Sequence, residues 1–263
     1  MKKRLLFSLG VFAIFFGGVV FFLYFNKQAD DQDCSQAQDN GAGVLGFNHN
    51  NVNLVGLDEN IAAVWYKVSM PANLTLKSNL ESKETAGNIF SSRNCKFLVS
   101  SGFYDTNDTH IGLFQYKGEV ISPLQSNKLL NGVLSINSFN TPRISEEPPK
   151  DDLLLGLQSG PLLYSNGQEL ALDLRSDKPS RRIVAAITGY NELIFIALYS
   201  NEQVFLGPLL SEVPGYLTTF IDKSGIQIAD AINLDGGKAS AFILENFKLT
   251  ELSVIGGYFC YID

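Results

Sequence analysis

The chain has no surplus of basic charge. Twenty Lys and Arg residues face 27 Asp and Glu, for a formal net charge of −7. A nucleic-acid partner is excluded on that ground, because gripping a phosphate backbone takes a basic excess. Cysteine is scarce as well: Cys34, Cys95 and Cys260 are too few and too scattered for a metal knuckle. There is no zinc motif, no P-loop, no G-x-S-x-G elbow and no internal repeat. Neither a metal nor a cofactor is predicted. The few clustered cations, Arg175, Lys178, Arg181 and Arg182, suit a single anionic group.

One long apolar run is present, and it lies at the start. Met1-Lys2-Lys3-Arg4 is basic, and residues 5–25 carry no charge. At a helical rise of about 1.5 Å per residue this run spans roughly 30 Å, the thickness of a bilayer core. It is longer than the apolar part of a cleaved signal peptide, and no small-residue cleavage site follows. Residues 1–26 therefore read as a signal anchor, a transmembrane helix with its basic end in the cytoplasm. Residues 27–43 are polar and acidic and read as a flexible tether. The remaining domain, 44–263, then lies on the extracytoplasmic side. There a Cys95–Cys260 bridge and two buried thiols are equally open. Asn73 and Asn107 stand in glycan-acceptor patterns.

Within the domain, short apolar segments alternate with turn signals. Strands are predicted at 61–70, 71–79 (an edge strand), 95–99, 111–116, 119–121, 129–137, 183–188, 193–199 and 230–233, and 153–164 is an apolar run that Gly160-Pro161 breaks. One or two more strands fall in 248–261. Lys117-Gly118 and Asn166-Gly167 mark hairpins. A loop is expected over 140–152. Only two helices stand out, one starting at Ser82 and one from Gly215 to Lys223 that Gly225 can end. The fold class is α+β: a mixed, largely antiparallel sheet with few helices, preceded by one transmembrane helix.

The stretch 231–242, AINLDGGKASAF, puts one carboxylate, Asp235, at the end of an apolar run, followed by Gly236, Gly237 and Ser240. Glycines there let backbone N–H groups and a ligand come close. The alternative is a tight hairpin turn with Asp235 as its cap.

With it go SSGFYD at 100–105, IGLFQYKGEV at 111–120, LQSGPLLYSNGQ at 157–168 and SRRIVAAIT at 180–188. In this order the segments resemble the phosphodiester glycosidase family, whose bacterial members are often exopolysaccharide-related. Gln158, Ser159, Gly160 and Pro161 keep one family motif, and Leu234 to Gly237 keep another. Ser100 stands where the family usually has Asn, and Lys238 and Ala239 depart from its Gly-Ser. The resemblance implies hydrolysis of a sugar-1-phosphodiester on a cell-surface glycan or exopolysaccharide, with a phosphorylated glycan as partner.

Against that chemistry the residues divide as follows. Asp235 is the candidate nucleophile, base or charge stabiliser, and Asp105 its candidate partner or else a turn cap. Arg182, then Arg181, would fork onto the phosphate, or form a surface charge pair. Gln158, Ser159, Ser240 and Ser100 would bond sugar or phosphate oxygens, and Gly160, Gly236 and Gly237 would allow close approach. His110 is a candidate general acid or a solvated loop side chain; Lys238 meets an anion or water. The second reading is a non-catalytic carbohydrate-binding envelope protein on the same scaffold.

Overall fold

The computed structural model describes residues 52–150 and 152–262. The anchor and tether expected over 1–43, and Cys34, lie outside the described residues. Among the described residues no helix is long and apolar enough to cross a membrane.

In chain order the strands are β1 (Asn53–Gly56), β2 (Ile61–Lys67), β3 (Leu74–Ser78), β4 (Phe97–Ser100), β5 (Phe114–Tyr116), β6 (Glu119–Ser122), β7 (Gly132–Asn137), β8 (Pro142–Ser145) and β9 (Leu153–Ser159). They continue as β10 (Leu162–Ser165), β11 (Gln168–Glu169), β12 (Arg182–Thr188), β13 (Leu193–Ser200), β14 (Ile228–Asn233), β15 (Phe242–Leu244), β16 (Phe247–Leu249) and β17 (Gly257–Tyr261). Among the described residues two α-helices accompany them, α1 (Ala86–Ser92) and α2 (Val213–Ser224).

They form three sheets, not one. A seven-stranded sheet runs β1-β2-β13-β12-β14-β10-β11; two five-stranded sheets run β16-β15-β4-β17-β3 and β6-β5-β9-β7-β8. Every strand pair in these sheets is antiparallel, so the expected mixed sheet is corrected to a fully antiparallel set. The edge position expected near 71–79 is found in β3. The loop expected over 140–152 contains β8, whose Pro142 and Ile144 are buried while Arg143 is exposed.

The inner faces of the sheets share one core. Ile183, Ala185 and Ile187 of β12 point into it with Phe195, Phe97, Leu134, Leu157, Phe242 and Phe259. The opposite face of β12, Val184 and Ala186, packs under α2 with Ile194, Ile196, Leu217 and Phe220. Burial on both faces explains why 183–188 and 193–199 read as unbroken apolar runs rather than alternating ones.

Local signals set the helix limits. Pro214 occupies the first turn of α2, and Gly225 ends it in the left-handed region at φ 74°. Helix α1 begins later than Ser82. Thr85 is its N-cap and accepts the Asn88 N–H at 3.3 Å. The residues ahead of it fold around Asn79, whose Oδ1 accepts from Ser82 Oγ and Glu84 N–H. Cys95, just before β4, and Cys260 in β17 form a disulfide with their Cα atoms 5.5 Å apart.

Candidate active site

The centre of the site is the departure of β14 from its sheet. The Leu234 N–H still donates to the Ile183 carbonyl at 2.8 Å, as a ladder bond would. The next N–H, of Asp235, donates instead to the Ser101 carbonyl at 2.9 Å, at the end of β4 in a different sheet. Gly236 then passes so close to β12 that a Cβ on it would stand 2.6 Å from the Arg181 carbonyl oxygen. Gly237 turns the chain at φ 68° and donates its N–H to that same carbonyl at 2.8 Å. A single 3-10 turn, Gly237–Ala239, leads into β15. Strand β14 pairs with β10 and β12, and β15 with β4 and β16. Asp235 therefore sits on a crossover between sheets, and the hairpin reading of 231–242 is overturned.

The other segments close around it. Gly160 donates its N–H to the Asn233 carbonyl at 3.1 Å, and Asn233 Nδ2 returns a bond to the Gly160 carbonyl at 3.0 Å. Ser159 Oγ donates to the Asn233 carbonyl at 2.7 Å. Ser100 Oγ accepts the Ala241 N–H at 3.2 Å and reaches the Asp235 carbonyl at 3.5 Å. Four segments distant in sequence, around Ser100, Gly160, Arg181 and Asp235, thus meet at one point.

Several side chains expected to touch a substrate hold these segments instead. Arg181 is fully buried. Its Nε donates to Ser240 Oγ at 2.9 Å, its Nη1 to the Val204 carbonyl at 3.3 Å, and its Nη2 to the carbonyls of Ser240 and Thr250. Ser240 Oγ passes the connection on to the Gly237 carbonyl at 2.7 Å. Burial lowers the Arg181 pKa to about 10, with Glu251 pulling the other way. Arg182 donates to the carbonyls of Pro208 and Lys178 and to Asp177 Oδ1 at 3.1 Å. Asp177 also accepts from Leu210 N–H and from Ser211. Burial opposes its ionisation, yet those bonds and Arg182 hold its pKa below the usual range. The expected phosphate fork is corrected for Arg181, whose three guanidinium nitrogens are all committed to the protein; Arg182 is tied through Nε and Nη2, and its pair with Asp177 is largely buried rather than on the surface.

Gln158 is corrected in the same way. Its Oε1 accepts the N–H groups of Leu113 and Gln125, and its Nε2 donates to the carbonyls of Gln125 and Leu130. The amide fastens the 125–130 loop to β9 and has no capacity left for a ligand. Asp105 resolves as a turn cap: its Oδ1 accepts the N–H groups of Asn107 and Thr109 in an exposed turn. Those bonds, Thr109's first, lower its pKa. His110 is neither solvated nor a ready acid. Its ring is buried, stacks on Phe114 at 3.9 Å, and bonds Ser78 Oγ through Nε2 at 2.8 Å. Burial lowers its pKa to about 4, so it is neutral at pH 7. Lys238 is exposed, while its carbonyl accepts the N–H groups of Leu252 and Ser253.

What remains at the meeting point is a carboxyl group with an altered acidity. Burial raises the Asp235 pKa to about 8, and the Gly236 N–H offsets only part of that. Tyr104 is near enough for the Asp235 charge to raise its pKa, after burial as the larger cause. Its hydroxyl donates to the Val254 carbonyl at 2.7 Å. Ser101 Oγ and Asn233 Oδ1 are buried and make no hydrogen bond among the described residues. Ser101 adjoins Asp235 through its carbonyl and Asn233 precedes it by two residues, and unsatisfied groups in the neighbourhood of a perturbed carboxyl mark a candidate site. Sequence reasoning passed over Tyr104, Ser101 and Asn233. Asn233 had a signal: an amide closing an apolar strand one residue short of the Leu-Asp-Gly-Gly step. Among the described residues no group of three or more His, Cys, Asp or Glu side chains is placed to hold a metal. A carboxyl that keeps its proton at neutral pH can give it to a departing oxygen, and it does not repel an anion beside it.

A sequence profile of the phosphodiester glycosidase family matches residues 93–255. Among solved structures, the chain is similar to the catalytic domain of zebrafish N-acetylglucosamine-1-phosphodiester alpha-N-acetylglucosaminidase, auto-inhibited by its pro-peptide. That match has a TM-score of 0.60 and 16% identity, and covers 77% of each chain. It is also similar to a hypothetical protein from Synechocystis, at a TM-score of 0.51 and 13% identity, over 81% of this chain and 64% of that one. No curated protein sequence matches the chain.

Proposed function

The chain belongs to the phosphodiester glycosidase family, and from that premise we propose that it hydrolyses a sugar-1-phosphodiester at Asp235. The bond from the anomeric carbon to the phosphate oxygen breaks, the electron pair leaves with the phosphate, and water adds at the anomeric carbon. Asp235 gives its proton to the leaving oxygen, and the proton that the added water loses returns to Asp235, so the carboxyl is restored. The observation that carries this reading is geometric: the half-buried Asp235 carboxyl stands where four segments meet, and its pKa is raised to about 8. Protonated, it can lie against a phosphodiester anion without repulsion. Ser101 Oγ and Asn233 Oδ1 supply polar contacts for the sugar, and the exposed Lys238 supplies a cation at the rim.

The proposed substrate is a glycan of the cell surface or an exopolysaccharide. The proposal extends to location: a signal anchor over 1–26 and a domain on the extracytoplasmic side. The Cys95–Cys260 disulfide supports this, since such bonds persist in oxidising compartments.

The test is incubation of the purified chain with a UDP-sugar or a sugar-1-phosphodiester, measuring free sugar. Release that Asp235→Asn cuts at least about a hundredfold is the expected result; equal release by the variant removes Asp235 from the mechanism. The reading as a carbohydrate-binding protein without turnover has one observation in its favour, the commitment of both arginines to the protein. Sugar binding with no sugar released from any such ester would establish it.

A further inference from the structure

The two most exposed large apolar side chains among the described residues are Tyr190, 86% accessible, and Phe139, 83%. Each stands at a hairpin tip, Phe139 between β7 and β8 and Tyr190 between β12 and β13. The two hairpins belong to different sheets. Yet the residue that follows each ring, Asn140 and Asn191, lines the same cleft of about 340 Å³. Lys67, Ser69, Pro71 and Glu192 also line it, and Met70, next to Pro71, is 57% exposed.

The asparagines have a conformational reason to be there. Their φ values are 62° and 59°, in the left-handed region that Asn tolerates. The rings have no such reason, because turn tips favour small polar residues. A single exposed apolar side chain is ordinary, but two exposed aromatic residues, each next in sequence to an asparagine that lines the same cleft, mark a binding surface.

The chemistry of the cleft selects its occupant. The rings offer flat apolar faces, which the C–H face of a sugar ring can cover. The side-chain amides of Asn140 and Asn191 each hold a donor and an acceptor, the pairing that sugar hydroxyls require, and bond no other described residue. The two charged groups that line the cleft, Lys67 and Glu192, neutralise each other at 3.1 Å and leave it no net charge to draw an ion. We propose that this cleft binds a neutral glycan chain. It lies at the far end of the seven-stranded sheet. Strand β12 starts at Arg182, beside Gly236, and ends at Thr188, a span of about 20 Å at a strand's rise per residue. The cleft is thus an anchor for a polymer, separate from the chemistry at Asp235 and independent of it.

Native electrophoresis of the full chain, in gels cast with a mannan, a dextran or a β-glucan, tests the proposal. At least one of these polysaccharides should retard the wild type. Tyr190→Ala and Phe139→Ala should each weaken that retardation about tenfold, with unchanged thermal unfolding because both rings are exposed. Asp235→Asn should be retarded like the wild type, which keeps the result apart from any failure of the glycosidase reading. Retardation by none of the three overturns the proposal, as does retardation undiminished in the double variant. Self-association of the wild type that the double variant loses, read by gel filtration, would assign the rings to a second copy instead.

Discussion

At the scale of single residues, two ionisable groups, the half-buried Asp235 and the buried His110, tie stability to pH in opposite senses. Asp235 holds its proton up to about pH 8 in the folded chain, against an ordinary value of 3.8. Between those values the unfolded chain releases a proton that the folded chain keeps, so this residue costs stability as pH rises and the cost is complete above 8. His110 holds off its proton down to about pH 4, against an ordinary 6.5. As pH falls through that window the unfolded chain gains a proton and the folded chain does not, so stability is lost toward acid. Between about pH 4 and 6.5 the two slopes oppose each other; above 6.5 only that of Asp235 remains. Asp235→Asn should therefore stabilise the protein by roughly 2 to 5 kcal/mol at pH 9 and by little near pH 4. His110→Phe should flatten the acid side by up to about 3 kcal/mol. Urea unfolding at a series of pH values measures both. A wild-type stability that does not fall between pH 6.5 and 8, together with an Asp235→Asn curve parallel to it, would refute the burial assigned to Asp235.

At the scale of elements, the segments that carry the site are held by joints with no spare room. Gly160 has φ 155°, and a Cβ there would lie 2.1 Å from the Leu129 carbonyl oxygen. Gly160→Ala should cost about 3 kcal/mol or more, by strain and backbone displacement together. A thermal melt within a few degrees of wild type would contradict that. Much of this level was readable in the sequence. The left-handed pairs Lys117-Gly118 and Asn166-Gly167 sit at hairpin turns as their residue types require. Gly225 stops α2 for the same local reason. The start of α1 was misjudged because Asn79, four residues ahead of Lys83, captures the chain by side-chain bonds that spacing does not reveal. The division into three sheets was not legible either. Nothing local tells β14 to abandon β12 at Asp235 and join β4, since the instruction is a bond between residues 134 positions apart (Ser101 and Asp235). Site roles failed for a similar cause. Arg181, Gln158 and Asp105 are the right residue types for recognising a phosphate or a sugar, and the same capacities serve equally to fasten loops. Burial and partner geometry separate the two uses, and both depend on tertiary structure.

At the scale of the whole molecule, the Cys95–Cys260 bond is the covalent closure. It links residues 165 positions apart and so encloses every segment of the site. Replacing both cysteines by Ala should lower stability by about 2 to 5 kcal/mol, measured as a fall in the urea midpoint relative to the oxidised wild type. Equal midpoints would mean that the three sheets hold together without the cross-link.

The joints around Asp235 have a consequence for how such a molecule can change over time. Asp235 to Ser101, Gly237 to Arg181 and Gly160 to Asn233 are main-chain to main-chain bonds, so outside the two glycines they do not depend on which side chain stands at either end. Lineages can therefore rewrite the lettering around the carboxylate while the loops stay in position. That freedom accounts physically for a shared architecture at 16% identity. It also locates the places where drift must stop: the few glycines whose neighbours leave no space for a β-carbon.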